Sequence, residues 1–302
     1  MDSATPALSR RRALALTPNA FRAAARVSVG ALVVIVATGA TVRLTGSGLG
    51  CHHWPGCQPN EFLPARGYHS DVEFSNRVVA SLTVLATLVL GVASLLTRGL
   101  TRSVKTRAWL VFAGTLAQAP LGAITVYYDL NPYLVITHLL LSLVVLGLGV
   151  AVAAAGDAPP LPDRARLAGA LLLAATAFLV VTGTLATASG RFPGSSGDKH
   201  VRRIGAFDPA VALHVKAVAT FGACFLLLAA WAWLHRARYP WLVRGCAGLL
   251  VILAAQMAIG ETQYRRYGSI PWAVVLLHVA VAASLFAWAV GLVTRVWRPI
   301  RN

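Results

Sequence analysis

The chain has 302 residues, 57% of them apolar and only 12% charged, and a mean hydropathy of +0.67. A soluble domain carries about 25% charged residues, so that class is excluded. The formal charge of +17 would suit nucleic acid, but its distribution along the chain argues for a bilayer instead.

A basic stretch, residues 1–23 with Arg10, Arg11, Arg12 and Arg22, precedes the first apolar run. That run, roughly 24–46, lacks a small-residue cleavage site at its end and reads as a span, not a signal peptide. A spanning helix needs about 20 mostly apolar residues. Further runs of that length follow at roughly 72–97, 106–128, 132–155, 166–188, 208–235, 241–261 and 270–294. The expected fold class is therefore an all-α polytopic membrane protein with eight transmembrane helices. Arg26, Arg98, Arg102, Lys105, Arg107, Arg164, Arg166, Arg236, Arg238, Arg244, Arg295, Arg298 and Arg301 join the basic tail on one side. This is the positive-inside bias, and it predicts a plasma-membrane protein with both termini in the cytoplasm. Only the outer loop 189–207, with Arg191, Lys199, Arg202 and Arg203, runs against it.

The first outer loop, 47–71, is rich in glycine and aromatic residues and holds Cys51 and Cys57. Its compartment is oxidising, so a disulfide is permitted there, as a lid or as a plain staple. Cys224 and Cys246 fall in or near spans six and seven and read as buried apolar residues.

The two halves repeat. Val36-Ala37-Thr38-Gly39-Ala40-Thr41 aligns with Val180-Val181-Thr182-Gly183-Thr184-Leu185, and a Gly/Ser-rich loop follows each. Gln118-Ala119-Pro120-Leu121-Gly122 aligns with Gln256-Met257-Ala258-Ile259-Gly260. A turn, a proline (Pro132 or Pro271) and a histidine (His138 or His278) come next. Proline suits a helix start, where no backbone donor is lost. The expected architecture is two tandem four-helix bundles, at 24–155 and 166–296, with a linker at 156–165 and a tail at 297–302. Bundle cores are where cofactors are held by facing helices.

Asn76, His138, His214 and His278 occupy matched positions a few residues into even-numbered spans. An intramembrane ionisable residue is costly and so marks a functional site. His214 and His278 form a pair at one depth, able to grip one heme iron from both faces. Asn76 breaks the pattern in the first half. An amide is a poor iron ligand, so that half is either degenerate or keeps one strong ligand, His138, and an open face. Glu73 shares a helix face with Asn76 and is read as a helix-start anion or as a carboxylate aimed into the first pocket. Arg77 and Lys216 are candidates for pairing with heme propionates, or for snorkelling. His52, His53, His69 and His200 lie in polar loops and are expected to be solvated. His235 ends span six beside Arg236 and Arg238.

Thr38-Gly39 through Arg43-Leu44-Thr45-Gly46-Ser47-Gly48-Leu49, then Cys51, Trp54-Pro55 and Cys57, resembles the heme A synthase family, in its bacterial, actinobacterial-like form. So does Glu73-Phe74-Ser75-Asn76-Arg77, which is similar to that family's Glu-x-x-His-Arg element apart from Asn76. The resemblance spans essentially residues 24–296. It implies an enzyme that oxidises the C8 methyl of heme o to a formyl group by successive hydroxylations, giving heme a for cytochrome oxidase. It implies heme b held by His214 and His278. The substrate heme o would sit at His138, Glu73 and the Asn76 position, and Cys51 and Cys57 would form a disulfide. The implied partners are heme o synthase, an electron donor, cytochrome oxidase assembly and the lipid bilayer, with no nucleic acid and with scope for a homo-oligomer. The alternatives are a heme b electron carrier without chemistry of its own and a heme transporter. Glu73 and the incomplete ligand set favour the enzyme. The lack of a polar path to the cytoplasmic side disfavours the transporter.

Overall fold

The computed structural model describes residues 15–51, 53–64, 67–196 and 201–300. Arg10, Arg11, Arg12, His52, Lys199, His200 and Arg301 lie outside the described residues. Among the described residues, eight α-helices run in chain order: α1 Pro18–Leu44, α2 Tyr68–Leu96, α3 Arg102–Tyr127, α4 Pro132–Ala154, α5 Asp163–Ser189, α6 Phe207–Leu234, α7 Pro240–Arg265 and α8 Trp272–Trp297. All eight are long and apolar enough to cross a membrane, so the protein is an all-α polytopic membrane protein.

The helices overrun the apolar stretches because capping lies upstream of the hydrocarbon core. Thr17 accepts a hydrogen bond from the Ala20 backbone N–H, and Thr101 accepts one from Val104. Each satisfies a donor that the first turn leaves free. Pro132 opens α4, while Pro271 sits one residue ahead of α8. At the far end of α7, an ion pair between Glu261 and Arg265 extends the helix past its apolar run.

Helices α1 to α4 form a closed ring in which each touches its chain neighbours and α4 returns to α1. Helices α5 to α8 close a second ring in the same way. The rings meet where α8 packs on α1 and α4, and where α4 packs on α5. At this seam Gly147 lies under the Phe286 ring and Gly291 under Val150. The first ring's core includes Leu32, Leu90, Val111 and Leu146, and also takes Ala283 and Val290 from α8. The second includes Leu172, Phe221, Leu228 and Leu249.

At the end carrying the Cys51–Cys57 loop, the two halves are zipped together. Gly48 N–H donates to the Gly194 carbonyl (2.7 Å), and Ser196 N–H donates to the Gly46 carbonyl (2.9 Å). Gly46 has φ +70° and Gly194 φ +103°, conformations that favour glycine. A Cβ on Gly48 would lie 2.8 Å from the Gly194 oxygen. The Gly/Ser-rich segments are thus partners of one another. Arg43, at the end of α1, adds two bonds to this seam, from Nε to the Phe192 carbonyl and from Nη2 to that of Thr187.

Candidate functional site

In the second ring α6 and α8 stand at opposite corners with no close backbone approach. His214 lies on α6 and His278 on α8, so the two imidazoles belong to opposite corners of one ring. Thr182 on α5 anchors the first of them, with Oγ1 3.1 Å from His214 Nδ1. The Thr182 hydroxyl proton points to the Phe178 and Leu179 carbonyls, at 3.1 and 3.0 Å. With the single Thr182 proton given to one of these carbonyls, its oxygen accepts from Nδ1, which then carries the imidazole proton. Nε2 is left with a free lone pair, the state a metal ligand requires.

Glycines make room for the imidazoles. A Cβ on Gly183 would lie 3.0 Å from His214 Cε1, and one on Gly260 3.2 Å from His278 Cε1. In the first ring a Cβ on Gly122 would lie 3.5 Å from His138 Cε1. Nδ1 of His138 and Nδ1 of His278 are buried without a hydrogen-bond partner. Among the described residues no three His, Cys, Asp or Glu side chains cluster as a metal cage. A planar ligand whose iron takes one or two imidazoles fits these donors better than an ion needing four.

The first ring repeats the threonine contact with a different partner. Thr38 Oγ1 donates to Asn76 Oδ1 at 2.7 Å. Thr38 is the repeat equivalent of Thr182, as Asn76 is of His214. The amide is gripped by its oxygen, so its NH2 group is turned away from Thr38.

Glu73 and Arg77 are both committed to the loop. Glu73 is 5% exposed and is the one buried charged residue among the described residues. Its Oε2 accepts from the Cys51 backbone N–H (2.8 Å), and its Oε1 accepts from Arg77 Nη2 (2.8 Å). Arg77 Nη1 donates to the carbonyls of His53 (2.7 Å), Pro55 (3.2 Å) and Gly56 (2.5 Å). Cys51 and Cys57 are joined in a disulfide, with both residues fully buried. Lys216, by contrast, is exposed on α6, two residues from His214.

His69 departs from the expectation that it is solvated. Its Nδ1 is 2.9 Å from Ser47 Oγ and its Nε2 2.9 Å from Ser196 Oγ, so it bridges the two zipped loops. Its place in the chain hid this, because Ser196 is 127 residues away in sequence. His53 contributes its carbonyl to Arg77, and His235 stacks on Trp231 at 4.2 Å. Cys224 and Cys246 are free thiols, the second buried. Arg191 donates to the Gly268 carbonyl and Arg203 to that of Arg191, which ties the 189–207 loop to the α7–α8 turn. Burial draws the Arg203 guanidinium below its ordinary range, and Tyr267 acts in the opposite direction. Two open surface clefts, one beside Arg26 and Trp288 and one beside Arg102 and Trp109, touch none of the histidines.

Thr182, Thr38, Gly183 and Gly260 are site residues that hydropathy does not mark, although all four lie in the repeated segments. The signal was their fixed placement in both copies.

The profile of the COX15-CtaA family, described as cytochrome oxidase assembly protein, matches residues 23–71 and 66–290. The chain belongs to this family. Among its relatives is a heme A synthase of Lysinibacillus sphaericus, 33% identical over 126 residues, or 40% of this chain and 39% of the relative. One of Geobacillus kaustophilus is 31% identical over 107 residues, 35% and 33% of the two chains. One of Bacillus pumilus is 30% identical over 129 residues, 41% of each. The chain therefore spans about two fifths or less of the length of these curated relatives. Within the family frame, the two matched corners of the COX15-CtaA chain carry His214 with His278 in one ring and Asn76 with His138 in the other.

Proposed function

We propose that this COX15-CtaA protein is a heme A synthase, oxidising the C8 methyl of heme o to a formyl group for cytochrome oxidase. The observation that carries the reading is the inequality of the two rings. One offers two imidazoles on diagonal helices, with His214 Nδ1 in contact with the Thr182 hydroxyl. The other offers His138 opposite an amide held by Thr38. A closed bis-imidazole site suits electron transfer, and a one-histidine site suits oxygen chemistry.

In this reading His214 and His278 hold heme b, which when bound supplies one-electron transfer. His138 would hold the iron of the substrate heme o, and the Asn76 amide, bound to Thr38, would offer it no strong ligand. Glu73 takes and returns a proton at its carboxylate, and its bonds to Cys51 and Arg77 keep it under the disulfide loop. Lys216 meets a heme carboxylate at the water-exposed end. Arg77 serves the first ring through the loop it holds. Dioxygen is the oxidant, and an external donor supplies electrons. Heme o synthase supplies the substrate and cytochrome oxidase uses the product. The sites lie near the outer face of the plasma membrane, with both termini cytoplasmic.

Membranes containing the protein are incubated with heme o, oxygen and a reductant, and the extracted hemes are separated by chromatography with mass detection. Hydroxymethyl and formyl hemes are expected. Heme o recovered unchanged, from protein that retains its heme, overturns the proposal.

A further inference from the structure

Gln118 and Gln256 are matched residues of the repeat for which the reaction as outlined has no use. Each lies four residues before the glycine that makes room for a histidine, so each shares that glycine's helix face. One helical turn, about 5.4 Å, separates them from the imidazole level, away from the disulfide loop.

The two glutamines are bonded differently. Gln256 Nε2 donates to the His278 backbone carbonyl at 3.0 Å. In the first ring the equivalent carbonyl, that of His138, is taken by Ser142 Oγ at 2.8 Å. The second ring has Ala282 in the place of Ser142 and cannot do the same. Gln118 makes no such bond, and both of its amide atoms are buried without a partner. Gln256 lacks a partner only at Oε1. A buried amide with neither donor nor acceptor used is costly, and native proteins retain one where something else completes it.

We propose that Gln118 is a specificity residue that hydrogen-bonds the hydroxyl of the long alkyl side chain of heme o. This rests on the heme A synthase reading. A heme bound with its carboxylates toward water would present the opposite edge of its macrocycle at the depth of Gln118. In heme o that edge carries the hydroxylated farnesylethyl chain, and in heme b it carries a vinyl group. A free amide matches a hydroxyl as both donor and acceptor. The tied Gln256 Nε2 offers no such pair, which suits the second ring to a heme without that hydroxyl. A site built to bond a hydroxyl rejects the analogue that lacks it, because its own polar atoms stay unpaired.

The test uses the full-length protein in detergent, wild type and Gln118→Met, a replacement of similar length without polar atoms. Heme o and heme b are titrated separately, and the His138-dependent absorbance change gives the affinity ratio. Wild type is expected to prefer heme o, and Gln118→Met to lose that preference by roughly tenfold, the scale of one lost hydrogen bond. Before heme addition, the variant is expected to melt at a higher temperature, because it removes an unpaired buried amide. An unchanged ratio overturns the proposal. A lower melting temperature also overturns it, since it reveals a structural partner for Gln118. If no heme o binding in wild type depends on His138, the underlying functional reading fails and this proposal fails with it.

Discussion

Thr182 illustrates how one hydroxyl sets the chemistry of a ligand. When its proton goes to the Phe178 or Leu179 carbonyl, its oxygen accepts from His214 Nδ1. Thr182→Val removes that acceptor while keeping the shape. Loss of such a partner costs about 10–100-fold in metal-site affinity. Purified Thr182→Val is expected to carry substoichiometric heme b and a shifted midpoint potential, read by pyridine hemochrome assay and redox titration. Thr182→Ser restores both. A potential and heme content equal to wild type would falsify the tautomer assignment. Asn76 is the complementary case. Asn76→His places an imidazole beside Thr38 as His214 lies beside Thr182, and is expected to close the first ring with a second strong ligand. The measurement is carbon monoxide binding to the reduced protein loaded with heme o, which the variant should lose.

The Cys51–Cys57 loop is an element with little regular structure, fixed instead by its ends. The disulfide closes a loop of sequence separation 6. A loop that short contributes about 2 kcal/mol through the unfolded chain. Glu73 holds the Cys51 N–H, and Arg77 holds three loop carbonyls. Glu73→Gln keeps the size but gives up the charge-assisted bonds, each roughly twice the strength of a neutral one. Limited proteolysis should then cut within 53–64 faster than in wild type, with the helices intact. Equal cleavage rates would show that Glu73 does not fix the loop. The helices themselves were legible in the chain because about 20 apolar residues mark the hydrocarbon thickness whatever their neighbours are. Their ends were less so, since caps such as Thr17 and the Glu261–Arg265 pair lie in the polar zone. The histidines were legible as rare polar groups in apolar runs. Thr182, Ser142 and the Gly48–Gly194 contact were not, because each depends on which helix or loop lies opposite. Hydropathy says nothing about that.

At the scale of the whole molecule, two rings share one seam, and what joins them differs along it. Through the apolar thickness the seam is close packing, Gly147 under Phe286 and Gly291 under Val150. At the disulfide end it is polar: the Gly48–Gly194 and Ser196–Gly46 bonds, His69 between two serines, and Arg43 reaching from α1 into the other half. Arg43 is the strongest of these fastenings, because its guanidinium fork engages the Phe192 and Thr187 carbonyls together. Arg43→Leu removes both bonds from a half-buried setting and leaves two carbonyls short of a donor. Hydrogen bonds to a charged group contribute about 1.5–3 kcal/mol each, so a loss of about 3 kcal/mol or more is expected. Arg43→Lys supplies the charge without the fork and should recover less than half of that loss. Thermal unfolding of the detergent-solubilised protein measures both. Ser47→Ala, which removes the hydroxyl's contacts to His69 and Thr45, should cost about 1 kcal/mol. If Arg43→Leu proves no worse than Ser47→Ala, the two halves are held by their apolar seam alone, and the zipped loops act on the first ring's loop, not on the union of the rings.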